Sequence, residues 1–268
     1  MRTPLRRILS HVFGWLADRR VPQLLRGPLY RGYARFTGAN LDESRGPLDI
    51  YPSLGAFFVR RLVDGARPIE GDPQQLVSPV DGTLQASGLV SAGSLLQAKG
   101  RSYLVRDLLA GVGADLDLEG ACAWTLYLGP ADYHRIHTPE AGRLVEARWV
   151  PGGRYSVAPA VLARRSVLAT NERCVLRLET DRGPLLMVLV GALNVGRIRV
   201  LGVQPGWDGP LPTPAKFARG EELARFEMGS TVILITPPGV AADTIGGGRA
   251  DGEPSPRVRV GLPLGRYL

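Results

Sequence analysis

From Leu76 onward the hydrophobic positions fall in short runs separated by Gly, Pro and Asp, at 121–128, 144–150, 174–180, 185–193, 197–203 and 231–236. Runs of this length, rich in β-branched residues and bounded by turn formers, predict strands. One helix is expected among them, near 105–110. The repetition predicts an α+β fold with a mainly antiparallel β core and short N-terminal amphipathic helices. The beginning of the chain follows a different period: Leu5, Ile8, Leu9, Val12, Phe13 and Leu16 keep i, i+3, i+4, i+7 spacing, with Arg6, Arg7, Ser10, Asp18 and Arg20 on the other side. Gly27-Pro28 and the polar stretch 38–47 are expected to divide this region into short helices, and Pro52-Ser53 offers a helix start ahead of 54–62. Two regions result, a basic helical one over 1–67 and a β-rich one over 68–268. The stretch 239–256, with Gly246-Gly247-Gly248, reads as loop.

Charge sharpens that division. The chain of 268 residues carries a formal net charge of +8. Residues 1–40 hold eight arginines against one acid, Asp18, which is nearly the whole excess. Trp15, Tyr30, Tyr33 and Phe36 lie among those arginines. A basic amphipathic helix with interfacial aromatics suits an anionic lipid surface; packing against the body of the protein explains the same pattern equally well. Nucleic acid is the weaker reading, because no recognised binding motif accompanies the arginines. The longest apolar run, 185–195, falls short of the roughly 20 residues a spanning helix needs, and the N-terminus does not read as a cleaved signal. Cys122 and Cys174 lie in strand-like segments without metal-ligand spacing and read as buried free thiols.

Candidate chemistry gathers at three places. Phe226-Glu227-Met228-Gly229-Ser230-Thr231 runs directly into the apolar run Val232-Ile233-Leu234-Ile235, which puts Ser230 at a strand entrance behind a flexible glycine. There a hydroxyl can attack the preceding carbonyl if a base takes its proton; taken alone, Gly-Ser-Thr reads first as a turn into a strand. Two of the chain's three histidines share Asp132-Tyr133-His134-Arg135-Ile136-His137-Thr138-Pro139, a loop leaving the strand at 121–128. Imidazoles there can act as base or acid, and no third ligand is spaced for a metal. Asp81 lies in the turn Ser78-Pro79-Val80-Asp81-Gly82. Asp81, one histidine and Ser230 give the order acid, base, nucleophile. A serine hydrolase acting on an external ester with Asp81, His137 and Ser230 is therefore one reading, although no Gly-X-Ser-X-Gly elbow surrounds the serine. A non-catalytic membrane-binding protein is another.

These segments, together with Phe57-Phe58-Val59-Arg60-Arg61-Leu62, Arg67-Pro68, Leu96-Gln97-Ala98-Lys99-Gly100, Asn171-Glu172-Arg173, Val190-Gly191-Ala192 and Gly220-Glu221-Glu222-Leu223-Ala224-Arg225, occur in the order and spacing of the bacterial phosphatidylserine decarboxylases, which the chain resembles from about residue 50 to 237. The family's Leu-Gly-Ser-Thr is Met228-Gly229-Ser230-Thr231 here, its Ser-Pro-Ala-Asp-Gly is Ser78-Pro79-Val80-Asp81-Gly82, and its Leu-Phe-Ser-Val-Asn-Pro is altered to Arg154-Tyr155-Ser156-Val157-Ala158-Pro159. The resemblance implies a proenzyme that cuts itself between Gly229 and Ser230 into a β chain, 1–229, and an α chain, 230–268. Ser230 would become an N-terminal pyruvoyl group, and neither pyridoxal phosphate nor a metal would be needed. It implies Asp81 as orienter, His137 as base and Ser230 as nucleophile in the cut, with His134 moving a proton during decarboxylation of phosphatidylserine to phosphatidylethanolamine. The expected setting is the cytoplasmic face of a bacterial inner membrane, held peripherally through residues 1–40, and a homodimer is admitted.

Overall fold

The computed structural model describes residues 15, 17–97, 101–192, 198–227, 230–242 and 255–268. The expected helix over 5–16, apart from Trp15, lies outside them, as do Lys99, Met228 and Gly229. Along the chain run β1 (Gln75–Val77), β2 (Gly82–Ser91), β3 (Ser94–Gln97), β4 (Arg101–Leu104), β5 (Ala121–Leu128), β6 (Arg135–His137), β7 (Gly142–Val150) and β8 (Arg173–Thr180). There follow β9 (Gly183–Gly191), β10 (Ile198–Val200), β11 (Asp208–Phe217), β12 (Glu222–Phe226), β13 (Ser230–Pro238), β14 (Val240–Ala242), β15 (Arg257–Val258) and β16 (Pro263–Tyr267). The main sheet runs β11-β7-β8-β9-β13-β5-β2-β3-β4, with β15 beside β2. Two three-stranded sheets, β1-β16-β14 and β10-β12-β6, complete it. All pairings between these strands are antiparallel, as expected for the β core of this α+β fold.

β13 occupies the middle of the main sheet, hydrogen-bonded to β5 on one side and β9 on the other. Its residues alternate between two cores. Val232 and Leu234 pack with Leu126, Leu128 and Met187, whereas Ile233 and Ile235 pack with Ala123, Val188 and Val190. Both faces being covered, the strand reads as a continuous apolar run, and each of those four side chains contributes about 1.5–3 kcal/mol by burial.

Several expectations need correcting. Helix Gln23–Thr37 runs straight through Gly27-Pro28. The missing Pro28 N–H costs such a helix about 3 kcal/mol, but Tyr30 stacks on Phe57 at 4.7 Å, and Tyr51 meets that ring edge-on at 5.5 Å. Packing on this aromatic cluster outweighs the local break. The next helix starts as expected, with Ser53 Oγ accepting the Ala56 N–H at 3.1 Å, but it spans only Leu54–Phe58. β11 escaped the sequence reading because Pro210, Pro212 and Pro214 interrupt it; as the outermost strand it pairs only with β7, where proline is tolerated. β14 lies in the stretch read as loop. Cys122 and Cys174 are buried free thiols, and burial pushes the Cys122 thiol up to about 11. No helix among the described residues is long and apolar enough to cross a membrane.

Candidate active site

Ser230 opens β13, in register with Leu128 of β5 and Gly191 of β9. It shares the side of the strand that carries Val232 and Leu234, since side chains alternate. The residue is fully buried, and its Oγ has no hydrogen-bond partner among the described residues. Leaving a buried hydroxyl unsatisfied costs about 1–3 kcal/mol, so such an atom calls for an explanation.

His134 lies in the loop between β5 and β6 and is held there by two hydrogen bonds. Gly129, the residue after Leu128, offers its carbonyl to His134 Nε2 at 2.9 Å, and Phe226, at the end of β12, donates its N–H to the His134 carbonyl at 3.0 Å. A carbonyl can only accept, so the ring proton sits on Nε2 and Nδ1 is bare. That Nδ1 is buried and has no partner. The ring stacks on Phe58 with centroids 4.0 Å apart. Burial pushes the imidazole down to about 3, opposed by the Gly129 bond and reinforced by the nearby Arg60 charge. The loop itself is pinned: Asp132 accepts the Gly129 N–H at 2.7 Å and pairs with Arg257, while Tyr33 of helix Gln23–Thr37 donates its hydroxyl proton to the Pro130 carbonyl at 2.7 Å.

His137, on β6, is wired differently. Its Nδ1 donates to the Gly220 carbonyl at 2.8 Å, which leaves Nε2 to accept from the Tyr133 hydroxyl at 3.2 Å. Gly220 has φ +78°, and a Cβ there would come 2.3 Å from Ile69, so glycine is required to present that carbonyl. Burial lowers the His137 pKa, opposed by the Gly220 bond and by the charges of Glu222 and Asp81. Asp81 is buried, and its carboxylate is taken by Arg67 Nε and Nη2, at 2.9 and 2.6 Å, and by the Val260 N–H at 2.9 Å. Arg67 also holds Glu43 at 2.8 Å. The glycine after Asp81 is obligatory, because a Cβ at Gly82 would meet the Tyr127 carbonyl at 2.3 Å.

Asp81 and His137 thus stand in one charged neighbourhood, joined through the backbone by the His137 N–H to the Pro79 carbonyl at 2.8 Å. His134 is bonded to Gly129, which follows the β5 neighbour of Ser230. Among the described residues no hydrogen bond links Asp81 to His137 or His137 to Ser230. Three positions carry roles that the sequence reading did not assign. Tyr133 fills the His137 lone pair, and Arg67 neutralises Asp81. Asn171 donates to the Tyr155 and Gly191 carbonyls, both at 2.8 Å, and accepts the Tyr155 N–H at 3.0 Å, which ties the altered 154–159 segment to the strand beside Ser230. The only signal for Asn171 and Arg67 lay in the motifs that carry the resemblance. Among the described residues no group of three His, Cys, Asp or Glu side chains could hold a metal.

Fold and site define an α+β protein with a buried serine and a buried imidazole on neighbouring segments at the head of its central strand. The family model for phosphatidylserine decarboxylase matches residues 54–266. The chain is 40% identical to the phosphatidylserine decarboxylase proenzyme of Nitrosococcus oceani, covering 98% of this chain and 88% of that one. It is 41% identical to the proenzyme of the same name from Halorhodospira halophila, with 97% and 90% covered, and 40% identical to that of an Anaeromyxobacter species, with 96% and 93% covered. The chain belongs to the phosphatidylserine decarboxylase family.

Proposed function

We propose that this chain is a proenzyme that cuts itself between Gly229 and Ser230 and then converts phosphatidylserine to phosphatidylethanolamine and carbon dioxide. The observation that carries the reading is the fully buried Ser230 Oγ, without a hydrogen-bond partner among the described residues, together with a histidine whose Nδ1 is also bare and whose Nε2 bonds Gly129, the residue after the β5 neighbour of Ser230. Two unsatisfied polar atoms on adjacent segments fit a nucleophile and its base. Ser230 Oγ attacks the Gly229 carbonyl carbon as His134 Nδ1 takes the hydroxyl proton, and the acyl group moves from nitrogen to oxygen. Loss of the Ser230 α-proton then expels the Gly229 carboxylate, leaving dehydroalanine, which water converts to a pyruvoyl terminus with release of ammonia. His134 is preferred over His137 because His137 has committed both nitrogens, to Gly220 and Tyr133. In this reading Asp81, Arg67 and His137 hold the loop that presents His134.

A pyruvoyl group supplies an α-keto carbonyl that condenses with a substrate amine and takes up the electron pair left when carbon dioxide departs. Ser230, bonded on both sides within the sheet, fixes where that carbonyl stands. His134, held by Gly129 and Phe58, delivers a proton to the decarboxylated carbon. The serine-hydrolase alternative finds no support among the relatives, which are named phosphatidylserine decarboxylase proenzymes.

Helix Gln23–Thr37 gives the membrane its share of the reading. It carries no acid; Leu24, 91% exposed, lies on the side of Arg31 and Arg35, and Phe36, 89% exposed, lies farther round the helix. Such a face suits the anionic cytoplasmic leaflet of a bacterial inner membrane, as a peripheral attachment. The testing experiment is an intact mass spectrum of the wild-type protein beside Ser230→Ala. Two chains are expected, the smaller beginning at position 230 and lighter by one ammonia than a serine-headed peptide; a single full-length wild-type chain under active conditions removes the proposal.

A further inference from the structure

A cavity of about 280 Å³ opens between Gly38, at the end of helix Gln23–Thr37, and the loop at Ala131 and Tyr133, with Arg60, Arg257 and Arg259 on its walls. Arg60 is the unusual member. It is only 3% exposed; among the described residues its Nε and Nη1 have no hydrogen-bond partner, and Nη2 reaches only the Ala131 carbonyl, at 3.4 Å. The Phe57 ring, 5.1 Å away, covers one face of the guanidinium without satisfying its N–H groups. The acids on the cavity wall are committed elsewhere: Glu43 and Asp81 to Arg67, and Asp132 to Arg257 and the Gly129 N–H. A buried cation with idle donors is costly unless an anion reaches it.

We propose that Arg60, assisted by Arg259, binds the phosphodiester of the lipid headgroup. The identity of this ligand rests on the decarboxylase reading; the existence of an anion site does not. The headgroup of phosphatidylserine carries two anions, and an arginine fork matches either. The carboxylate, however, must leave as carbon dioxide, and an ion pair that holds it in the ground state would oppose its loss. The phosphodiester survives the reaction, so binding it costs the chemical step nothing. Position agrees with this choice. Arg60 follows Phe58, which stacks on His134, by two residues, and the cavity begins where the exposed apolar helix ends. At this volume it takes a headgroup rather than acyl chains, being smaller than the roughly 300–1,000 Å³ of drug-sized pockets.

The test uses full-length Ser230→Ala, which stays a single chain, titrated calorimetrically with glycerophosphoserine, glycerophosphoethanolamine, inorganic phosphate and free serine. Both glycerophosphodiesters are expected to bind within threefold of each other, and at least tenfold more tightly than phosphate or serine. Adding Arg60→Gln should weaken both at least tenfold, with Arg60→Lys falling between. Undiminished binding in Arg60→Gln overturns the proposal, as does serine binding equal to glycerophosphoserine. Phosphate binding tighter than either diester makes this a free-phosphate site and overturns the headgroup assignment. Should Arg60→Gln fail to fold by circular dichroism, the exposed Arg259→Gln decides: a threefold or greater loss supports the site and none overturns it. Arg60-dependent diester binding in a protein that releases no carbon dioxide from phosphatidylserine vesicles would keep the site and remove the enzyme reading. Carbon dioxide release without Arg60-dependent binding would do the reverse.

Discussion

Ser230 and Phe36 stand near opposite ends of exposure, 0% and 89%, and each breaks the usual distribution of polar and apolar groups. One is a hydroxyl sealed in a β core without a partner; the other is an aromatic ring left in solvent on a helix without acids. Between them the core is orderly, with β13 alternating between two apolar clusters and paired on both edges. Departures from local preference therefore occur where the proposed chemistry needs them, inside for a reaction of the chain with itself and outside for contact with a bilayer.

The interior half of this comparison is broken most directly by exchanging the histidines. His134→Ala should slow self-cleavage by at least about a hundredfold, the lower end for loss of a general base, whereas His137→Ala should retain more than a tenth of the wild-type rate. Following chain separation on gels over time decides this, and the reverse ranking would return the base to His137 with Asp81 behind it. Next in size is the support beneath Ser230. Asn171→Ala removes three hydrogen bonds and strands the Gly191 and Tyr155 carbonyls, so urea unfolding should show a loss of about 2–4 kcal/mol.

The exterior half is sharpened by Leu24→Ser with Phe36→Ser. Vesicle sedimentation should show partitioning onto anionic lipid reduced at least about tenfold, given roughly 1.5–3 kcal/mol per apolar side chain transferred from water, with an unchanged melting temperature. Unchanged partitioning would mean that this face meets something other than lipid. The smallest effect is that of pH. Both imidazoles have folded-state pKa values depressed below the usual 6.5, so their contribution to stability is complete above about pH 6.5 and is lost as pH falls, for His134 toward about 3. Melting temperatures of wild type should decline between pH 7 and 5 more steeply than those of His134→Asn. Parallel profiles would contradict the burial of a neutral imidazole.

The candidate site residues were legible in the sequence because their types are few and their motifs compact. Their wiring was not. His137 is held by a carbonyl 83 residues away, and Asp81 by an N–H 179 residues away. No local spacing reveals such partners: the order of acid, base and nucleophile suggested Asp81, His137 and Ser230, but not that Asp81 is bonded to Arg67 and His137 to Gly220 and Tyr133. The strands at 121–128 and 231–236 were readable for the same reason that they are stable, both faces being covered. β11 was hidden by prolines that only an edge strand tolerates, and helix Gln23–Thr37 by a proline that aromatic packing overrides.

The position of β13 has one more consequence for a chain cut at Gly229-Ser230. The strand that would head the small chain is bonded to β5 and β9 of the large one, while β16 is bonded to β1 and β15 to β2. The fold would be assembled by one polypeptide and inherited by two, its instructions used once. In denaturant, a mature molecule would have to recover its central strand through a bimolecular encounter rather than a loop closure, and refolding yield would depend on concentration. Its native state would then be guarded by the height of the barrier to leaving it.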